Sequence, residues 1–283
     1  KKSTRVPCWT FSRITFERDG GFWDGLHGVL HRRKRMVVSE FAVELHYGGC
    51  VEEVESALRK QLPGAKFSIS IENQSVIVEG NLAPSKVQSV LKSTGKSVVL
   101  RGQSGDLGRN LGAAVCILES NCEPIGLVRM IQLPSILYLD ITVDFPSLSP
   151  GPHGIAVHQW GDMSDGGANA GGHYSSSEDH VHGAPDNEEH HDGDLGNILI
   201  DNHGHGELIL ESSRLVLSDL IGRTILLHQS EDDLGKGPDP SSKTDGNAGP
   251  PIACGIIARS AGLFENSKRV CACDGVALWE VKR

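Results

Sequence analysis

The feature that most constrains this chain is a polar, histidine-rich stretch over residues 171–197. It reads GGHYSSSEDHVHGAPDNEEHHDGDLGN, contains five histidines and has almost no hydrophobic residue before its last few positions. A long polar loop inside a compact domain needs a source of order other than apolar burial, and a bound metal supplies one. Three imidazoles and one carboxylate form a closed tetrahedral set that suits structural zinc. The residues spaced to offer such a set are His173, His182, His191 and Asp194. The alternative is a disordered acidic-histidine loop.

Composition narrows the classes of protein to which the chain can belong. Its 283 residues allow two domains, and its net charge of -9 argues against nucleic acid as a partner. No apolar run approaches the length of a membrane span. The seven cysteines are odd in number and scattered, which argues against a secreted disulfide framework. A reducing, cytoplasmic location is therefore expected.

Residues 1–39 differ from the rest of the chain. They are basic overall and contain the run HRRKR at residues 31–35. This composition fits either a targeting presequence or an artefact of the gene model, and it predicts neither a fold nor a function.

Residues 40–102 carry the pattern of a small α+β domain. The alternating segment EFAVELH over residues 40–46 predicts a strand, and apolar residues recur on one helical face over residues 50–61. Two strands joined by a tight turn follow, then a helix opened by Pro84 and a last strand over residues 96–101. The order βαββαβ predicts a ferredoxin-like domain.

This layout resembles the heavy-metal-associated domains of copper carriers, in which two thiolates of an MxCxxC loop bind Cu(I). The matching segment is LHYGGC over residues 45–50, so Tyr47 replaces the first cysteine and only Cys50 remains. Linear Cu(I) needs two soft ligands, which Cys50 alone does not provide. His46, or Cys50 of a second chain, would have to complete a copper site. The preferred interpretation is a domain kept for its fold or for docking.

Residues 103–259 alternate short strands with turns rich in glycine and proline, which predicts an all-β sandwich or Greek-key barrel. Several ordered runs in this region resemble the copper-zinc superoxide dismutase family. The clearest are GPHGIAVH at 151–158, HGAP at 182–185, GDLGN at 193–197, DDLGKG at 232–237, GNAG at 246–249 and ACGI at 253–256. The resemblance implies a barrel of the dismutase type.

The resemblance also implies a metal centre, residue by residue. The family's zinc ligands fall on the four residues already named, with His173 as the imidazolate that bridges zinc and copper. Asp232 matches the aspartate that links the two sites through hydrogen bonds to ligand histidines. The family's four copper histidines fall on Ala156, His158, His173 and His228, so one copper ligand is missing.

Two further departures from the family concern the active-site arginine and the intrasubunit disulfide. The family's active-site arginine, which attracts superoxide, falls on Pro251. One partner of the family's intrasubunit disulfide is Cys254, but the other falls on Gly167. Loss of a nitrogen ligand weakens Cu(II) binding, and loss of the guanidinium removes the electrostatic guide. The chain is therefore predicted not to be an enzyme, and the order of its histidine-rich loop is predicted to depend more on zinc.

Residues 260–283 form a tail that contains Cys271-Ala-Cys273. A metal-carrier domain, a dismutase-like domain and a Cys-x-Cys tail, in this order, resemble the copper chaperone for superoxide dismutase family. Residues two apart in an extended chain face the same side, so these two thiolates suit Cu(I) transfer and disulfide exchange. The resemblance implies a chaperone that docks on a copper-zinc superoxide dismutase subunit as a heterodimer, delivers Cu(I) and promotes disulfide formation. Zinc is then a structural cofactor, and copper is the cargo.

Two alternatives stay open. The first is a residual dismutase that uses His158, His173 and His228 as its copper ligands. The second is a zinc-stabilised scaffold with no copper role. In the absence of a dismutase partner, the chain is expected to form a homodimer.

Overall fold

A computed structural model describes residues 38–80, 82–104 and 111–260, with the side chains of residues 103 and 104 excepted. The predictions for residues 1–37 and for Cys271 and Cys273 therefore lie outside the described residues. Within the described ranges, no helix combines the length and the apolar character needed to cross a membrane.

The first part of the structure is a four-stranded antiparallel sheet with two helices. Along the chain it comprises β1 (Val38–Val43), α1 (Gly48–Gln61), β2 (Lys66–Ser70), β3 (Ser75–Glu79), α2 (Pro84–Lys92) and β4 (Val98–Ser104). The strands lie in the order β2-β3-β1-β4. This arrangement confirms the predicted α+β, ferredoxin-like fold. Strand β1 begins at Val38, two residues before the predicted domain boundary, and that boundary stays a prediction.

Local chemistry explains where these helices begin. Helix α1 buries Cys50, Val54 and Leu58 on one face, which is the stripe expected from its sequence. Helix α2 begins with Pro84, which has no N–H to lose in a first turn and has a backbone angle suited to it. Gln74 has a φ of 47° and closes the tight turn between β2 and β3.

The second part is a closed antiparallel barrel. Its strands are β5 (Ala113–Ser120), β6 (Glu123–Gln132), β7 (Leu137–Asp144), β8 (Gly151–Val157), β9 (Asp194–Ile200), β10 (His205–Ser212), β11 (Thr224–His228) and β12 (Pro251–Ile256). They lie in the order β12-β11-β8-β9-β10-β7-β6-β5, and a further pairing of β12 with β5 closes the ring. A short helix, α3 (Leu217–Leu220), precedes β11, and β13 (Ala258–Ser260) extends along β5. The predicted Greek-key barrel is thereby confirmed.

Strand β12 was not predicted as an element, although it completes the barrel. Its sequence PIACGI begins with proline and contains glycine, both of which weaken a strand signal. The glycine is required, because a Cβ at Gly255 would overlap the carbonyl oxygen of Ile117 on the neighbouring strand. Close backbone packing therefore explains both the presence of the glycine and the failure of the prediction.

Strand β7 joins the two parts of the molecule, because one of its faces packs in the barrel core and the other packs against the ferredoxin-like domain. Leu137, Leu139, Ile141 and Val143 point into the barrel core, as period-two alternation requires. On the opposite face, Tyr138 packs with the hydrophobic residues of the ferredoxin-like sheet. Helix α2 covers this outer face of β7.

The contact between α2 and β7 is polar as well as apolar. Gln88 of α2 is fully buried and donates to Asp140 Oδ2 at 3.3 Å and to the Val98 carbonyl at 3.1 Å. The hydroxyl of Tyr138 donates to the side-chain oxygen of Gln88. At the edge of this contact, Lys92 pairs with Glu207 at 2.8 Å. The two parts are therefore fastened together by specific buried hydrogen bonds.

Candidate metal centre

Two long connections of the barrel, β8–β9 and β11–β12, carry most of the polar residues that meet at one site. The first connection supplies His173, His182 and His191, and Asp194 is the first residue of β9. The structure brings these four predicted zinc ligands together, with ligand atoms within 4.8 Å of one another. That they bind zinc stays a prediction at this point.

The Oδ1 atom of Asp194 lies close to one ring nitrogen of each of the three histidines. Asp194 Oδ1 lies 2.6 Å from Nδ1 of His173, 3.0 Å from Nδ1 of His182 and 3.4 Å from Nδ1 of His191. For zinc bonds of about 2.0–2.1 Å, neighbouring corners of a tetrahedron are about 3.4 Å apart. Within the described residues, Nδ1 of His182 and Nδ1 of His191 are buried without a hydrogen-bond partner. The site therefore fits a divalent cation that accepts these nitrogens as ligands.

Backbone hydrogen bonds fix the ends of the ligand loop. Tyr174 N donates to Val157 O at 2.8 Å, and Val157 N donates to Gly193 O at 2.9 Å. Gly193 cannot carry a side chain here, because a Cβ would overlap the Val157 carbonyl. His173 and Asp194 flank these contacts, so strand β8 positions both ligands.

Asp232 supports the centre from the β11–β12 connection. It is buried, and His182 Nε2 donates to Asp232 Oδ1 at 2.7 Å, which leaves His182 Nδ1 free to face the ion. Gly246 makes this contact feasible, since a Cβ at that position would overlap Asp232 Oδ1 and lie 2.5 Å from His182 Nε2.

The electrostatics of the metal-free centre follow from its burial and its close carboxylates. Burial raises the pKa of Asp194, but the hydrogen bond from His173 and the closeness of the His182 and His191 imidazoles outweigh it and hold that pKa far below its usual range. Burial lowers the pKa of His182, but the adjacent Asp194 and Asp232 carboxylates raise it more, to about 9. Asp194 is therefore ionised, as a carboxylate that binds a metal must be.

A second histidine group lies next to the first and shares His173. Its other members, His158 and His228, are buried, and their Nε2 atoms are 3.4 Å apart. The Nδ1 atom of His158 is 2.8 Å from Gly171 O, and that of His228 is 2.8 Å from Gly249 O. Because a carbonyl oxygen only accepts hydrogen bonds, each neutral imidazole carries its proton on Nδ1. The unprotonated Nε2 atoms of His158 and His228 therefore face each other. Burial lowers the pKa of His158 to about 3, so this imidazole stays neutral.

The structure locates the two residues that break the copper pattern. Ala156 is buried in β8 opposite Asp194 and Leu226, so the position of the fourth histidine is inside the site but carries only a methyl group. Pro251 pairs with His228 across β11 and β12, so the position of the active-site arginine is beside the histidine group. Neither residue offers a ligand or a charge.

The remaining candidate residues do not gather into a site. Cys50 is buried at the start of α1, and a backbone hydrogen bond with His46 lowers its pKa. The ring of His46 instead contacts Glu44 Oε1 at 3.0 Å. In the described part of the chain, neither group of three or more potential metal ligands includes Cys50. The preferred interpretation, a domain kept for its fold or for docking and not for copper, stays a prediction.

The missing disulfide partner is explained by packing. Cys254 is a free, buried thiol beside Gly167, whose φ is 96°. A Cβ at Gly167 would lie 2.6 Å from Leu226 and 3.1 Å from the Cβ of Cys254. Glycine at this position therefore lets the loop approach β12 closely, and burial raises the pKa of the Cys254 thiol.

The chain is similar to known proteins over most of its length. Residues 125–257 match the family model described as copper/zinc superoxide dismutase. Over its greater length, the chain is 41% identical to a rat protein named copper chaperone for superoxide dismutase, with 87% of this chain and 89% of that protein covered. The human protein of that name is 40% identical over 85% of this chain and 87% of its own length. An Arabidopsis thaliana protein named as a chloroplastic/cytosolic copper chaperone for superoxide dismutase is 30% identical over 89% of this chain and 73% of its own length.

The chain belongs to the copper chaperone for superoxide dismutase family, as its sequence resemblance predicted. None of the three relatives carries the name of an enzyme. The histidine-rich loop alone suggested a metal site, but the close packing of Gly246 against Asp232 and His182 was not predicted, although the GNAG motif was a signal for it. The contacts of Arg214 with Asp192 and His180 were not predicted either, because Arg214 lies in an ordinary polar segment.

Proposed function

We propose that this protein docks on a copper-zinc superoxide dismutase subunit, delivers Cu(I) to it and promotes formation of its disulfide. One observation carries the proposal: a complete zinc set stands beside a copper set in which Ala156 removes a ligand. This combination keeps the architecture of a dismutase while removing what catalysis needs. Zinc at the first set is a resident cofactor, and copper is the cargo.

Zinc, when bound, supplies order to a loop with little apolar surface. His173, His182, His191 and Asp194 hold it, and Asp232 orients His182 through Nε2. The same loop leads back towards Trp160, because Gly171 packs against that indole ring and Trp160 N donates to Ala170 O at 2.8 Å. A rigid metal loop therefore steadies the neighbouring surface.

The docking surface is an exposed apolar patch formed by Ile117, Trp160 and Ile256. Their exposed fractions are 36%, 56% and 42%. These residues lie on adjacent elements. Thr224 of β11 pairs with Ile256 of β12, and its N–H donates to Trp160 O at 3.2 Å. Strand β12 also pairs with β5, which carries Ile117. Exposed apolar groups side by side favour a protein partner. A dismutase subunit with the same fold offers a matching half, and a second copy of this chain would use the patch at rest.

The transfer step is assigned to Cys271 and Cys273. Two thiolates can hold Cu(I) and pass it to a target histidine site by ligand exchange. When the pair is oxidised, attack by a target thiolate on it and closure by the target's second thiolate give a target disulfide and a reduced pair. Two electrons move from the target thiols to the tail in this exchange. Free thiols among the described cysteines support a reducing, cytoplasmic location.

The test is activation of metal-free, reduced dismutase by copper-loaded full-length protein. Replacing both Cys271 and Cys273 with serine abolishes activation, whereas Cys50→Ser has a smaller effect because Cys50 lacks a gathered partner ligand. Equal loss from the two changes would refute this division of labour. Ile117→Arg serves as the docking variant, with the similarly exposed Ile71→Arg in the small domain as its control.

The convergence of three histidines favours one second candidate, a weak dismutase. Copper held by His158, His173 and His228 would have three nitrogens, and Pro251 stands at the position of the family's active-site arginine. A direct dismutation assay on the copper- and zinc-loaded protein decides between the two functions. Turnover comparable to that of a four-histidine dismutase would establish the enzyme.

A further inference from the structure

A guanidinium from outside the ligand loop reaches several points on that loop. Arg214 follows β10, where its own N–H donates to Ser212 Oγ at 3.2 Å and the adjacent Leu215 is buried in the barrel core. The backbone of Arg214 is therefore held by the barrel, while its side chain is free to extend along the loop. Its side chain is 28% exposed, so most of it is covered.

Arg214 contacts the segments next to two of the proposed zinc ligands, His182 and His191. Its Nε donates to Asp192 Oδ1 at 3.0 Å, and Asp192 is the residue after His191. Its Nη1 donates to the carbonyl of Glu188 at 3.1 Å, and its Nη2 donates to His180 Nε2 at 3.1 Å. His180 lies two residues before His182, so a single planar group joins both limbs of the loop.

The partners of Arg214 extend the network to the third ligand segment. Asp192 is buried, with 5% of its surface exposed. Its Oδ2 atom accepts a hydrogen bond from Ser176 N at 2.6 Å. Ser176 lies three residues after His173. His180 Nδ1, 2.8 Å from Ser175 Oγ, continues the network to the same segment. Burial of the Asp192 carboxylate makes its pairing more consequential than that of an exposed ion pair.

We propose that Arg214 is a positioning residue that preorganises the ligand loop for zinc through Asp192 and His180. The inference rests on the zinc site proposed above. It also accounts for a loop that keeps its shape although Gly167 leaves Cys254 without a disulfide partner. A guanidinium is suited to this role, because its rigid fork can donate in several fixed directions while an ammonium group acts as a point charge.

The test compares zinc binding by full-length wild type with Arg214→Gln, Arg214→Lys and Asp192→Asn, using chelator competition. Both Arg214 variants are expected to bind zinc about tenfold more weakly, as do variants that lose an outer contact of a metal site. Arg59→Gln is the charge-matched control, since Arg59 pairs with Glu55 on the exposed face of α1. In the double variant Arg214→Gln/Asp192→Asn, the two losses are expected to be less than additive.

A second readout separates positioning from general stability. Cobalt replaces zinc as the probe, and the visible spectrum of Co(II) reports the symmetry of the ligand set. A changed spectrum at saturating cobalt supports the proposal, because a role in stability alone would leave the geometry of the bound ion unaltered, and an unchanged spectrum overturns it. Unchanged zinc affinity in Arg214→Gln, or full rescue by Arg214→Lys, overturns it while leaving the zinc site intact. Failure of the wild type to bind zinc would overturn the site itself and this inference with it.

Discussion

Gly246→Ala tests how tightly the metal centre depends on a single backbone position. Gly246 has a φ of 66°, and a Cβ there would overlap Asp232 Oδ1 and approach His182 Nε2 to 2.5 Å. The left-handed backbone costs an alanine about 1–2 kcal/mol. Displacing Asp232 breaks its buried hydrogen bond with His182, which is worth about 1.5–3 kcal/mol for a charged partner. The free energy of unfolding should therefore fall by about 2.5–5 kcal/mol.

Gly249→Ala is the matched control within the same motif. Gly249 has a φ of 76°, but a Cβ there would meet only Ser230, with Oγ at 3.4 Å. This variant should lose only the backbone contribution, about 1–2 kcal/mol. Subtracting one variant from the other isolates the contact between Asp232 and His182.

Two measurements on both variants complete the test. Thermal unfolding of the zinc-loaded protein should show a midpoint loss of about 2–4 °C for each kcal/mol. Chelator competition should show zinc affinity reduced about tenfold in Gly246→Ala and unchanged in Gly249→Ala. Equal zinc affinities in the two variants would refute the claim that Asp232 supports the ligand set through His182.

Three other outcomes follow from the structure. In the metal-free protein, the raised His182 pKa of about 9 contributes stability that is complete below about pH 6.5 and is lost as pH rises through 9. Urea unfolding at pH 6.5 and 9.5 measures this loss, and Asp232→Asn should flatten it. Gln88→Leu leaves the Tyr138 hydroxyl buried without its acceptor and should cost about 1–3 kcal/mol in denaturant unfolding, against no change in zinc content. Ala156→His adds a fourth nitrogen and should strengthen Cu(II) binding, seen as a tetragonal EPR spectrum; an unchanged spectrum would contradict the assigned position.

The sequence predicted those parts of the site that depend on the type and the spacing of residues close together in the chain. His173, His182, His191 and Asp194 stand out because polar ligands replace apolar residues over a long segment, and the motifs around them indicate the barrel. The role of Arg214 was not predictable, since its partners lie 22 to 34 residues away and only folding brings them together. The burial of Asp140 also depends on α2, which no pattern in β7 reveals. Strand β12 was not predicted for a similar reason, because the close backbone packing that requires Gly255 arises only in the folded barrel.

The buried hydrogen bonds between Gln88 and β7 constrain the position of the small domain on the barrel. Because α2 is anchored on the barrel, the distance between Cys50 and the apolar patch is set by the fold, and the length of the segment that links β4 to β5 does not control it. A partner bound at the apolar patch would therefore meet the small domain in one fixed position. A domain on a flexible tether would instead sample many positions, and its effective concentration would depend on the length of the tether. If copper passed through the small domain, the fold would present it to a bound partner from one direction only. Lengthening the segment between β4 and β5 would not change that direction.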